Sequence, residues 1–120
     1  MKFKTHHIDE IKIAELVSDD CIINGAEDGL DLLGNVYYQG FDKIIIKEQN
    51  IIADFFDLKT GLAGEILQKF ANYRVRLVII GDFSKYTSKS LTALIYESNR
   101  GRQINFVASQ SEAIEVLSRR

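Results

Sequence analysis

Asp57, Lys59 and Thr60 stand where an apolar segment gives way to a helical one, in Asp57-Leu-Lys-Thr60-Gly61-Leu62. A hydroxyl at the mouth of a helix can carry a phosphoryl group, because free backbone N–H groups and the helix dipole favour negative charge there. The same hydroxyl can simply cap the helix. So can Asp57, whose carboxylate reaches N–H groups two or three residues on. As a general base Asp57 needs a partner, and the sequence identifies none. A second polar run, Asp82, Ser84, Tyr86, Thr87 and Ser88, comes after the apolar segment Leu77-Val-Ile-Ile80. If both runs leave parallel strands, they share the C-terminal edge of the sheet, where their hydroxyls and carboxylates can bind a polar ligand. The simpler reading of the second run is a solvated loop with a helix cap. Ser84 lies in no nucleophile-elbow motif, and neither histidine has an evident route to it.

Other residue sets are weaker as chemistry. Arg74, Arg76, Arg100 and Arg102, with Lys85 and Lys89, are the basic candidates for nucleic acid, and Tyr73, Tyr86 and Tyr96 could stack on bases. The formal net charge of -2 argues against it. Asn99-Arg-Gly-Arg102 also complements the dipole of a helix end. His6 and His7 are adjacent, so on a strand they point to opposite faces. Metal binding there would draw on Asp9 or Glu10; the reading adopted is a solvated strand end, and no metal or cofactor is expected. Gly61-x-x-Gly64 lacks the Gly-Lys-Ser/Thr ending of a phosphate loop, and close helix–sheet packing is expected instead.

The elements that must position these residues are read from periodicity. Lys2 to Ile8 and Ile11 to Val17 alternate as two strands joined at Asp9-Glu10. Asn24-Gly-Ala-Glu27 reads as a helix start, and Ala26, Leu30, Leu33 and Tyr37 fall on one helical face, with Gly40 as the stop. Gly29 and Gly34 within that helix suggest close packing. Ile44-Ile45-Ile46 suits a strand buried on both faces. Ile51 and Ile52 extend or resume it, and Asp54 to Asp57 bends the chain toward the next helix. That helix is expected from about Thr60 to Tyr73, with Leu62, Ile66 and Phe70 at spacings of four. Leu77 to Ile80 is the strongest buried-strand run. Thr87 or Ser88 caps a helix through Asn99 that Gly101 stops. Ile104 to Val107 is a short strand, and Ser109-Gln-Ser-Glu112 is a capping box opening a last helix.

The order is β-β-α-β-α-β-α-β-α. It implies an α/β fold with a mixed, mostly parallel sheet and right-handed crossovers. The chain of 120 residues fits a single domain, 1–120, which by size buries roughly two-thirds of its unfolded surface. Hydrophobic residues at 46% and charged residues at 27% are an ordinary globular balance, so no metal or disulfide is needed to support a core. Cys21 is the lone cysteine, which excludes an intrachain disulfide and suits a reducing compartment. Met1 to Glu10 has no apolar run, so no signal peptide is expected, and no stretch approaches the ~20 apolar residues of a membrane helix. A cytoplasmic protein is the expectation.

The element order resembles the STAS fold, the sulfate-transporter and anti-sigma-factor-antagonist domain. In that family a strand leads to an Asp-Ser-Ser-Gly-Leu turn whose serine or threonine before the glycine can be phosphorylated. Thr60-Gly61-Leu62 matches it; Asp57 stands one residue further from the glycine, and Lys59 is foreign to the pattern. A more specific resemblance rests on longer blocks: Phe55-Phe-Asp-Leu-Lys-Thr-Gly-Leu-Ala-Gly-Glu-Ile-Leu-Gln-Lys-Phe70, Asn72-Tyr-Arg-Val75, Gly81-Asp-Phe-Ser-Lys-Tyr-Thr-Ser88 and Tyr96-Glu-Ser-Asn-Arg-Gly-Arg102. They look like a bacterial family of small domains of unknown function, which implies a bacterial cytoplasmic protein with no assigned activity.

The expectation for function is therefore a non-enzymatic regulatory or interaction module with a protein partner. Its surface would centre on Asp57, Lys59, Thr60, Gly61 and Leu62, with the loop from Asp82 to Ser88 beside it. The alternatives are a small-ligand or phosphate-handling domain using that same edge, and nucleic-acid binding through the arginines.

Overall fold

Unbroken runs of β-branched residues form the middle of the sheet. In the computed structural model, which describes residues 1–119, the strands are β1 (Phe3–Ile8), β2 (Ile11–Leu16), β3 (Lys43–Lys47), β4 (Arg76–Ile80) and β5 (Ile104–Val107). The helices are α1 (Ala26–Tyr38), α2 (Leu62–Asn72), α3 (Lys89–Arg100) and α4 (Gln110–Ser118). The strands lie side by side in chain order, β1-β2-β3-β4-β5. The β1–β2 hairpin is antiparallel and turns at Asp9, whose φ is 54°. All other pairs are parallel, with Ile44 opposite Leu77 and Ile79 opposite Phe106. This is the element order, and the central pairing of the Ile44 and Leu77 runs, expected from the sequence.

Sequential strand order fixes the layers. Each right-handed crossover steps one strand in the same direction, so α1, α2 and α3 fall on one face. The larger core lies there, holding Ala14, Leu16, Ile44, Ile46, Leu77 and Ile79 beneath those helices. The alternate strand residues Ile13, Ile45 and Val78 face the other way, where Ala113 and Leu117 of α4 meet them. With every strand's neighbours flipped by the pleat, the two faces separate residue by residue.

The strand order never reverses, so there is no switch-point crevice of the doubly wound kind. Short 3₁₀ turns instead fold over the strand ends: Glu48–Asn50, Ala53–Phe56 and Leu58–Thr60. They replace the strand extension expected at Ile51 and Ile52; Ile51 makes only a single parallel bridge, to Ile23. Asn50 ties these turns down. Its buried side chain accepts from Lys47 N–H at 2.9 Å and donates to the carbonyls of Ser18 at 2.9 Å and Asp20 at 3.0 Å.

Several local expectations are corrected. The inward face of α1 is Gly29, Leu32, Leu33 and Val36, while Leu30 and Tyr37 are exposed. A Cβ on Gly29 would sit 2.8 Å from Ile66, so it is the close approach of α2 that sets the rotation of α1. The returning bond at its start runs from Asn24 N–H to the Asp28 carboxylate at 2.9 Å, not to Glu27. Helix α2 begins at Leu62 rather than Thr60, because Gly61 takes a left-handed φ of 78° and breaks the helical path. Gly61 is thus a turn residue, and Gly64 is exposed with open space around its Cα, so helix–sheet packing explains neither. Gly34 likewise has open space.

Candidate functional site

The C-terminal edge of β3 and β4 carries the polar groups, and its geometry is set by the first residue past the end of each strand. After β3 comes Glu48; after β4 comes Gly81. A Cβ at position 81 would lie 2.7 Å from Glu48 Oε1 and 2.8 Å from Glu48 Cβ, so glycine alone leaves room for that carboxylate. Glu48 is then met from the 81–88 loop. The Tyr86 hydroxyl donates to its Oε2, and Lys85 Nζ lies 2.8 Å from the same oxygen. Burial holds the Tyr86 phenol protonated well above the usual tyrosine range, reinforced by its bond to Glu48 and by the negative charge there. The Tyr86 ring stacks on Phe56, with centroids 5.1 Å apart and planes at 17°, and Phe83 meets Phe106 edge-on at 5.3 Å. Around this knot lies a cleft of about 570 Å³ walled by Lys47, Gln49, Phe56, Gly81, Lys85 and Tyr86.

The Asp57–Leu62 turn occupies the same edge without entering that cleft. Asp57 Oδ1 accepts from Lys59 N–H at 3.2 Å, so it caps the 3₁₀ turn rather than α2. The Thr60 hydroxyl reaches the carbonyls of Asp54 at 2.7 Å and Asp57 at 2.9 Å, and accepts from Leu62 N–H at 3.3 Å. It is therefore both the latch of the 54–60 turn and a partner to the first N–H of α2. Thr60, Lys59 and Asp57 are all exposed, while Leu62 packs partly against the core.

The second run divides. Asp82 Oδ1 accepts from the Ser84 hydroxyl at 2.6 Å and from Ser84 N–H at 3.1 Å, and these bonds hold the carboxyl below its ordinary range. Ser88 accepts from Leu91 N–H at 3.2 Å and is the cap of α3. Thr87 is exposed beside it. Of this run, Tyr86 alone joins Glu48 in the cleft, with its neighbour Lys85. Sequence reasoning passed over Glu48; the available signal was a glutamate placed directly after a doubly buried strand, opposite a glycine placed directly after the next.

The remaining candidates lie elsewhere. His6 Nε2 lies 2.7 Å from Glu15 Oε1, which also accepts from Gln110 Nε2 at 2.7 Å, so His6 is a half-buried structural residue rather than part of a solvated strand end. Burial works against the Glu15 charge, but the bonds from His6 and Gln110, with the attraction of the nearby Lys47, outweigh it and lower its pKa. Among the described residues no three His, Cys, Asp or Glu side chains gather as a metal site. The arginines flank the opposite, N-terminal edge of the sheet: Arg74 in the turn after α2, Arg76 at the start of β4, and Arg100 and Arg102 around the end of α3. No helix among the described residues is long and apolar enough to cross a membrane.

One family model, described as Domain of unknown function (DUF4180), matches residues 8–117. Among solved structures, the chain is similar to a proposed anti-sigma factor antagonist from Thermotoga maritima. The two share 14% identity at a TM-score of 0.48, over 98% of this chain and 95% of that one. No curated protein matches the sequence.

Proposed function

We propose, since the chain belongs to the family described as Domain of unknown function (DUF4180) and membership carries no activity with it, that it is a regulatory protein-interaction module of the bacterial cytoplasm. The Thr60 turn is its contact surface. The observation that carries this reading is the double role of one exposed hydroxyl. Thr60 Oγ1 donates into the carbonyls of Asp54 and Asp57 while it accepts from the start of α2. Transfer of a phosphoryl group from a nucleoside triphosphate to Oγ1 would release the hydroxyl proton and remove that donor. Two carbonyls would then face a dianion, and the 54–60 turn would open. Free N–H groups at the start of α2 and the exposed Lys59 would accept the new charge. The modification would thus exchange one surface shape for another at a turn anchored in the core by Phe55 and Phe56.

The test is quantitative co-purification from cells that express the protein natively, using wild type, Thr60→Ser and Thr60→Glu, beside thermal melts of each. Serine keeps the latch, so its partner set should equal that of wild type. Glutamate should change the set while the fold persists. Identical partners and identical melts across all three would remove Thr60 as a switch.

A small polar ligand is the second reading, favoured by the cleft beside Glu48, where Lys47 and Gln49 line a wall and aromatic rings form a floor. Native mass spectrometry of the purified protein would show such a ligand as a discrete added mass.

A further inference from the structure

We propose that the cleft between β5 and α4, at the sheet edge opposite the Thr60 turn, is a binding site for hydrogenphosphate. The cleft measures about 230 Å³ and is walled by Arg76, Arg102, Asn105, Glu112, Val116 and Arg119. It stands independently of the reading of Thr60.

Arg76 begins the argument. It is half-buried, and its guanidinium donates to two neutral carbonyls, Nε to Arg102 at 2.5 Å and Nη2 to Val116 at 3.3 Å. A guanidinium has five N–H donors, so the fork is only partly used. Neither Arg76 nor Arg102 has an ion-pair partner among the described residues, whereas Arg100 pairs with Glu97 and Arg119 with Glu115. Burial works most strongly against the Arg76 charge and the Arg102 guanidinium adds to this, with Asp42 as the opposing influence. Two cations held together without a carboxylate between them gain most from a compact dianion, and planar guanidinium groups match phosphate oxygens two at a time.

The acids nearby are engaged elsewhere, Asp42 with Lys43 at 3.0 Å. Glu112 Oε2 accepts from Ala108 N–H at 3.4 Å, which directs it to the start of α4. Glu115 is bound to Arg119, 3.0 Å away.

Asn105 is the second, independent observation. It is 5% exposed and faces α4 from β5. Its Nδ2 donates to the Gly101 carbonyl at 3.1 Å, which fixes the orientation of the amide. Its Oδ1 is a buried side-chain oxygen with no partner among the described residues. Such an orphan acceptor is costly unless a donor reaches it. Hydrogenphosphate supplies anionic oxygens for the arginines and, on a small shift of the amide that opens its closed oxygen to the cleft, one O–H for Asn105. Sulfate, of the same charge and nearly the same shape, has no proton to give.

The experiment is an amide NMR titration of the whole chain with sodium phosphate, against sodium chloride at matched ionic strength. The expected result is saturable shifts at Gly101, Gln103 and Asn105, weaker with sulfate. Arg102→Ala should weaken phosphate binding by about tenfold or more. Arg102→Gln, which keeps most of the stem, is the companion variant should the alanine protein fail to fold. Shifts that do not saturate, that track exposed lysines, or that survive loss of Arg102 would overturn the site and leave the arginines as complements to the helix carbonyls. A dinucleotide phosphodiester that binds more tightly than phosphate would also overturn it, in favour of a nucleic-acid strand.

Discussion

The side-chain amide of Asn99 bonds both backbone groups of Phe106, its Oδ1 accepting from Phe106 N–H at 2.8 Å and its Nδ2 donating to the Phe106 carbonyl at 3.0 Å. A residue of α3 thereby supplies the pairing that another strand would give to the outer edge of β5. Open edges invite a second chain to add on, and at Phe106 this side chain stands where such a strand would pair. Asn99→Ala should lower stability by about 1–3 kcal/mol, through two backbone groups left unpaired. It should also raise self-association at high concentration. Denaturant melts and light scattering measure the two effects; an unchanged midpoint with a monodisperse variant would contradict the role.

Gly81→Ala tests the packing at the cleft. The new methyl would displace the Glu48 carboxylate and with it the bond from Tyr86. A loss of about 1–3 kcal/mol is expected, the usual result of overpacking. The tyrosine absorbance titration should move back toward the ordinary range for one residue. A melt and a titration both matching wild type would show that Glu48 moves freely.

The pH dependence has two arms. Tyr86 has its pKa raised in the folded state, so its contribution is complete below the ordinary phenol value of about 10 and is lost as pH rises beyond it. Glu15 has its pKa lowered, so its contribution is complete above the ordinary carboxyl value of 4.5 and is lost as pH falls through the depressed one. Tyr86→Phe should flatten the alkaline arm alone, and Glu15→Gln the acid arm alone. Chemical denaturation across pH separates them, and a variant that flattens the wrong arm would refute its assignment.

Ile79→Ala should cost about 2–5 kcal/mol, since Ile79 is fully buried on β4. Leu67 is only partly buried, against the helix layer, so Leu67→Ala should cost less than Ile79→Ala. Equal losses in urea melts would mean that Leu67 is packed more tightly than its exposure indicates.

The fold was legible where periodicity had one reading. Ile44 to Ile46 and Leu77 to Ile80 have no polar face, so they had to be central, and Ser88, Ser109 and Gly40 marked helix ends by side-chain chemistry and backbone freedom. The face of α1 was not legible. Leu30 and Leu33 fit one stripe as well as Leu32 and Val36 fit another, and the choice rests on the distant contact of Gly29 with Ile66. At the candidate site, Asp57, Thr60 and Tyr86 could be found because their residue types carry chemistry. Glu48 left only the signal of its place directly after β3, and Asn50 and Asn99 left none, since each acts through partners 30 or more residues away or through a strand's free backbone.

The sheet's second face is covered by α4, which comes after every strand in the chain. Detachment of this one helix would leave Ile13, Ile45 and Val78 as a bare apolar surface on an otherwise finished sheet. Local opening of a single nine-residue segment would therefore make the protein sticky on one side while its other layer stays folded, and α4 acts as the cover that keeps neighbouring chains off that face.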